Sequence, residues 1–186
     1  LKTILLMRHA RAGDTRAGEH DYDRSLTADG NDMAFQTGRI LASLNLSVDR
    51  IIASAAARTQ QTAELVSEEI NATRTRTAAP PVAIICRPEL YHASAHGFAK
   101  AAGQHAFDDE STVLIVGHNP GIGTLMCYWA QKGLDVSPAT LVAFRFDLKS
   151  WTDVKASHNE GVRIIAIIQD GKLQQVDPSL QPEPKG

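Results

Sequence analysis

Leu1-Lys2-Thr3-Ile4-Leu5-Leu6-Met7-Arg8-His9-Ala10 is the stretch that decides the fold. Residues 3–7 form an unbroken apolar and β-branched run, the pattern of a strand buried on both faces of a parallel sheet. The run stops abruptly at Arg8-His9. In open α/β sheets ligands collect outside the carboxyl ends of the strands, so a cation and an imidazole stand where such a fold does chemistry. The expectation from these two residues is a phosphoryl group gripped by Arg8 and attacked by His9.

Outward from this strand, residues 11–26 are polar, contain Gly13 and Gly18, and read as a long loop. Thr27 is expected to cap a helix that buries Met33, Thr37, Ile40, Leu41 and Leu44 at helical spacing. Val48 to Ala53 is a short strand, and Ser54 a plausible cap for a second helix with Thr62, Leu65, Val66 and Ile70 on one side. Residues 71–81 read as a surface connection, and Val82 to Cys86 as a third strand. Ser94 opens a helix with a weak apolar face, and Thr112 to Val116 is a strong buried strand. The next helix starts near Gly121, with Asn119 as cap and Pro120 in the first helical position. Thr140 to Phe146 and Val162 to Ile168 are two further strands, expected to pair antiparallel because no helical pattern separates them. Alternating strands and helices predict an α/β protein with a mostly parallel central sheet covered on both faces, a three-layer α/β/α arrangement. One domain is expected over residues 1–176, with a flexible, Pro-rich polar tail over 177–186.

At 186 residues the chain has length enough for a substantial core. Its formal charge of −2 gives no reason to expect nucleic acid or an acidic membrane, so an anion site must be built locally. Cys86 and Cys127 sit beside apolar residues and read as buried thiols of a reducing compartment rather than a disulfide framework. The first apolar run is too short to span a bilayer and lacks a small-residue cleavage site. Cytoplasm is the expected location. The sequence begins at Leu1 rather than Met, so residues upstream are expected to be missing from it.

Two strand ends look alike. Ile4-Leu5-Leu6-Met7 runs into Arg8-His9, and Leu114-Ile115-Val116 runs into Gly117-His118-Asn119. A third, Ile51-Ile52-Ala53-Ser54, leads to Arg58 at the start of a helix. Parallel strands ending on one side would bring Arg8, His9, Arg58 and His118 together, and their positive potential beside a helix N-terminus suits a phosphate dianion. A neutral imidazole in line with phosphorus forms a covalent phosphohistidine, and nearby arginines keep it neutral by lowering its pKa.

These blocks resemble the histidine phosphatase, or phosphoglycerate mutase-like, superfamily. The likeness rests on Arg8-His9-Ala10, on Ser54-Ala55-Ala56-Ala57-Arg58-Thr59-Gln60-Gln61-Thr62-Ala63, and on Val116-Gly117-His118-Asn119-Pro120. Asp23-Arg24-Ser25-Leu26-Thr27-Ala28-Asp29-Gly30 adds a likeness to the short phosphohistidine phosphatase (SixA-like) branch. The resemblance implies a phosphate pocket of Arg8, His9, Arg58 and His118, phosphorylation of His9 during turnover, and no metal or other cofactor. It adds Arg24 and Asn119 as secondary binding candidates. It also implies a phosphorylated partner, either a protein bearing phosphohistidine or a small phosphorylated metabolite such as a sugar or nucleotide phosphate. A non-catalytic phosphate-binding regulatory domain is the alternative of another class, and the presence of His9 weighs against it. Many members carry an acidic proton donor after the third strand. Glu89, in Arg87-Pro88-Glu89-Leu90-Tyr91, is the nearest candidate, against the plainer reading of a solvated loop carboxylate. Ala10-Arg11-Ala12-Gly13 replaces the longer polar motif of the mutase members, which argues against mutase activity.

Other signals carry less. His92-Ala93-Ser94-Ala95-His96 has the spacing of a metal-binding helix but lacks the Glu that zinc hydrolases place after the first His. Asp21-Tyr22-Asp23 resembles the paired aspartates of another phosphatase class but follows no buried strand, so it reads as a polar loop. Neither cysteine begins a C-x5-R loop, and no Walker A sequence is present. Trp129 and Trp151 are expected to serve packing.

Overall fold

A computed structural model describes residues 1–75, 79–157 and 161–181. Seven strands form one sheet: β1 (Lys2–Arg8), β2 (Arg50–Ser54), β3 (Ala83–Arg87), β4 (Thr112–Gly117), β5 (Leu141–Phe146), β6 (Arg163–Gln169) and β7 (Lys172–Val176). The helices are α1 (Ala28–Ser43), α2 (Ala57–Arg74), α3 (Ala95–His105) and α4 (Gly121–Ala130). Strand order is β3-β2-β4-β1-β5-β6-β7. The first four strands are parallel, while β5, β6 and β7 are added antiparallel. The sheet is therefore mixed, parallel in its centre as the buried apolar runs require, and antiparallel on one side.

Alternation along the buried strands divides the core into two layers. Leu5, Met7, Ile51, Ala53, Leu114 and Val116 face α1 and α2, packing against Ala34, Leu41, Ala63, Val66 and Ile70. Ile4, Leu6, Ile52, Val113 and Ile115 face α3 and α4, packing against Phe98, Ala102, Ile122, Leu125 and Trp129. This is the expected three-layer α/β/α arrangement.

Register sets where the strands end. Arg8 pairs with Gly117, Met7 with Val116, and Ala53 also with Val116, so β1, β2 and β4 finish level with one another. The ladder extends one residue further, His9 N donating to Gly117 O at 3.0 Å. Ala10 N then donates to Thr62 Oγ1 at 3.1 Å, and Thr62 Oγ1 donates to Arg58 O at 2.7 Å. The end of β1 is thereby tied to the first turns of α2.

Two helix starts follow the expectation: the side chains of Thr27 and Ser94 accept from Gly30 N and Gly97 N. Two do not. Ser54 does not cap α2, whose N-cap is Ala56 without a side-chain bond, because the Ser54 hydroxyl turns to His118 instead. Asn119 does not cap α4: Pro120 is the N-cap, Gly121 the first helical residue, and the Asn119 amide donates to Val136 O at 3.2 Å. Gly30 is required by a close approach, since a Cβ there would lie 2.0 Å from Arg11 O.

The surface connection expected from residue 71 begins later, because α2 runs to Arg74; residues 76–78 lie outside the described residues. β7 has no counterpart in the sequence reading. Its sequence, KLQQV, shows no apolar alternation and its residues are almost all exposed. It forms because Asp170 and Gly171, with φ of 51° and 67°, make the left-handed two-residue turn that matches strand twist. The tail expected from Asp177 is packed over its first residues. Leu180 is buried, and Leu180 O accepts from Asn45 N at 2.8 Å. Residues 182–186 of that tail lie outside the described residues. Cys86 and Cys127 are free and half-buried rather than fully buried. Trp129 and Trp151 pack in the core, their indole N–H groups donating to Lys155 O and Phe107 O. Among the described residues no helix is long and apolar enough to cross a membrane.

Candidate active site

The level ends of β1, β2 and β4 open onto a cavity of about 300 Å³ lined by Arg8, His9, Arg11, Ala12, Arg24, Arg58, His118, Asn119 and Pro138. Arg8, His9, Arg58 and His118, expected to meet from their strand-end positions, all face it, as do the secondary candidates Arg24 and Asn119.

His9 is set by its own backbone. Its Nδ1 lies 2.7 Å from Ala10 O. A carbonyl only accepts, so Nδ1 carries the proton and Nε2 keeps the lone pair. Burial lowers the His9 pKa to about 4, with Arg58, Arg8 and Arg24 adding to the shift and the bond to Ala10 acting against it. His9 is therefore neutral and nucleophilic at Nε2 near pH 7. Its ring centroid is 5.2 Å from that of His118.

His118 is almost fully buried. Its Nε2 lies 2.8 Å from Ser54 Oγ, and its Nδ1 has no hydrogen-bond partner among the described residues. Burial, then His9 and Arg58, lower its pKa to about 3, so this imidazole is also neutral. Ser54, expected to cap a helix, instead orients the second histidine.

Each guanidinium has a fixed anchor. Arg8 donates to Val136 O at 2.9 Å, and Arg24 to Gly13 O at 2.7 Å. Arg58, 5% exposed, donates to Asp21 O at 2.7 Å and to Asp21 Oδ2 at 3.0 Å. Arg24 Nε and Nη2 both approach Asp21 Oδ1 at 2.8 Å, and the Tyr91 hydroxyl donates to Asp21 Oδ2. Asp21 thus joins two pocket arginines and a tyrosine. The hydroxyl of Tyr91, followed by Arg24 and Arg58, holds its carboxyl far below the usual carboxylate range, and burial, with the contact to Asp21 adding to it, pushes the Tyr91 phenol up. In the sequence alone this residue reads as part of a polar loop. Its backbone, in a short 3-10 turn over Asp21–Asp23, is what carries the carboxylate across to α2.

The charge balance favours a dianion. Arg8, Arg24 and Arg58 face the cavity, Asp21 offsets one of them, and both imidazoles are neutral, leaving a formal +2. Arg11 also lines the cavity but is paired with Asp29. Glu89 stands elsewhere. It follows β3 as expected, yet its carboxylate is 56% exposed and lies 3.3 Å from His105 Nε2. It does not line the cavity, and among the described residues neither does any other carboxylate.

A sheet of this order, with a histidine-centred anion pocket at the carboxyl ends of its parallel strands, defines a phosphoglycerate mutase-like α/β protein. Residues 4–79 match the family model described as the histidine phosphatase superfamily (branch 1). The structure is similar to that of SixA from Nakamurella multipartitia (TM-score 0.67, 27% identity, covering 90% of this chain and 95% of that one). It is also similar to SixA from Agrobacterium tumefaciens (TM-score 0.71, 22% identity, covering 90% and 97%). Among curated proteins, the chain is 29% identical over 184 residues to the mitochondrial serine/threonine-protein phosphatase Pgam5 of Drosophila ananassae. That match covers 87% of this chain and spans 62% of the relative's length. Over residues 4–79 the chain is thus similar to the histidine phosphatase superfamily, and over 90% of its length it shares its fold with the SixA structures.

Proposed function

We propose that this chain is a phosphatase acting through a phosphohistidine at His9, with a protein-borne phosphohistidine as its substrate. The lone pair of His9 Nε2 attacks phosphorus. The bond from phosphorus to the leaving nitrogen breaks as the new P–N bond forms. Water then attacks the phosphoryl group on His9, the P–Nε2 bond breaks, and inorganic phosphate leaves. Arg8, Arg24 and Arg58 meet the equatorial oxygens, which carry the charge in such transfers. His118, with Nε2 engaged by Ser54, has Nδ1 left for a phosphoryl oxygen.

The observation that carries the substrate choice is the lack of a carboxylate among the cavity-lining residues. Asp21 is committed to Arg24, Arg58 and Tyr91, and Glu89 faces His105. An alkoxide leaving from a phosphate ester needs a proton donor in the transition state. The imidazole leaving from phosphohistidine needs one far less, because its P–N bond is labile and the nitrogen readily takes up a proton. A second reading, phosphoserine or phosphothreonine in a protein, draws support from the names of the Drosophila relatives. Rates on phosphohistidine, phosphoserine and sugar-phosphate substrates separate these. The proposal expects the first to be fastest, with an acid-labile, alkali-stable label on His9. A sugar phosphate hydrolysed faster, with that rate lost in Glu89→Gln, overturns the choice.

A further inference from the structure

A second, larger cavity of about 630 Å³ adjoins the first, and His118 and Asn119 line both. Its walls are the segment from Tyr91 into α3, the start of α4, and Ala156 and Ser157. The lining differs sharply from that of the phosphate cavity. No aspartate, glutamate, lysine or arginine is among its lining residues; rings and hydroxyls take their place. The Tyr91 and His92 rings lie against each other, tilted by 47° with centroids 4.0 Å apart, and the Tyr91 ring meets His118 edge-on at 5.6 Å. Tyr128 stands on α4 at the rim with half its surface exposed, a placement no core requirement explains. Both α3 and α4 begin at this cavity, and first-turn N–H groups have no acceptor inside their own helix.

A surface of rings and hydrogen-bonding groups, without carboxylate, lysine or arginine side chains, is matched to extended polypeptide and is poorly matched to a small metabolite carrying a second phosphate or carboxylate. We propose that this groove holds the segment flanking the phosphorylated residue of a protein substrate. Tyr128 and His96 act there as specificity determinants, contacting substrate outside the phosphate cavity. The inference rests on the proposed phosphatase reading and names where its protein substrate lies. Binding made away from the reacting atoms appears in KM, or in kcat/KM, for the long substrate alone.

The test measures kcat and KM for wild type, Tyr128→Ala and His96→Ala on a phosphohistidine peptide and on phosphoramidate, which cannot reach the groove. Both replaced side chains are exposed, and thermal melts check that the fold is kept. We expect kcat/KM on the peptide to fall about five- to tenfold, through KM, with turnover of phosphoramidate unchanged. Equal loss on both substrates, or no loss on the peptide, overturns the groove assignment while leaving the phosphatase reading in place. A wild-type protein that cleaves phosphoramidate but not the peptide overturns the substrate reading and the groove's occupant with it. A phosphorylated dicarboxylate cleaved faster than the peptide, and slowed by Tyr128→Ala, shows the groove to be a metabolite subsite and likewise overturns the proposal.

Discussion

The parallel half of the sheet, β3-β2-β4-β1, and the antiparallel half, β5-β6-β7, share one ladder between β1 and β5. Their strand ends are used differently. From the parallel half come Arg8, His9, Ser54 and His118, and Arg58 follows β2. The antiparallel half sends no side chain from its strands into the phosphate cavity, although the segment before β5 supplies Pro138 and the Val136 carbonyl that anchors Arg8. Parallel strands connected by helices all end on one side, so neighbouring strand ends converge on one point. Antiparallel neighbours end on opposite sides and cannot. What the antiparallel half contributes instead is apolar burial: Phe144, Phe146, Ile165 and Ala166 are fully buried.

The sharpest way to break this division is at its two extremes. His9→Ala is expected to lower turnover by about 10⁴-fold or more and to abolish the covalent label, with little change in melting temperature, as measured by steady-state kinetics and intact mass. Residual turnover near that of wild type would place the nucleophile elsewhere. Phe144→Ala, in the other half, is expected to cost about 3–5 kcal/mol in urea unfolding, with kcat/KM preserved at temperatures where the protein stays folded. A selective loss of activity without loss of stability would show that the antiparallel half takes part in the chemistry.

Asp21→Asn probes how the pocket arginines are held and is expected to act more weakly than His9→Ala. The amide keeps the shape but loses the charge that aligns Arg24 and Arg58, so kcat/KM is expected to fall about ten- to hundredfold. Arg58 is also held by the Asp21 carbonyl, which the substitution spares. If Asp21→Asn leaves kcat/KM unchanged, the carboxylate does not position the arginines.

A further effect is one of pH. The folded pKa of His9 is about 4 and that of His118 about 3, both below the ordinary 6.5. Between pH 6.5 and those values the unfolded chain holds protons that the folded chain does not. Stability is therefore full above about pH 6.5 and declines as pH falls toward 4, by about 1.4 kcal/mol per pH unit for each group. The lowered Asp21 carboxyl weakens the fold in the same direction, but only below the ordinary carboxylate range. Urea unfolding between pH 7 and 4.5 and NMR titration of the His9 ring measure this. A flat stability profile with a ring midpoint near 6.5 would show that His9 is not held desolvated among the arginines.

Legibility followed sequence locality. Arg8, His9 and His118 could be found because each directly follows an apolar run, and Arg58 because it opens a helix just after one. Asp21 could not, because it lies 37 residues from Arg58 in a loop whose composition matches any solvated turn. Ser54 signals a different partner in the sequence: a serine before a helix reads as a cap, and only the register of β2 against β4 brings it to His118. Glu89 follows β3 as expected, but its direction toward His105 depends on how α3 packs. β7 was hidden because an exposed edge strand needs no apolar alternation, and the Asp170-Gly171 turn was its one local signal.

By itself, then, the sequence determined the alternation of buried strands and amphipathic helices, and with it the residues at the strand ends, because burial on both faces writes unbroken apolar runs that stop where the strand stops. The tertiary structure alone decided the rest: which carboxylate holds the arginines, which hydroxyl holds His118, and which surface lies beside the phosphate cavity. The contacts of Asp21 with Arg58 and of Ser54 with His118 join residues tens of positions apart, and only the register of the sheet and the packing of the helices bring them within reach.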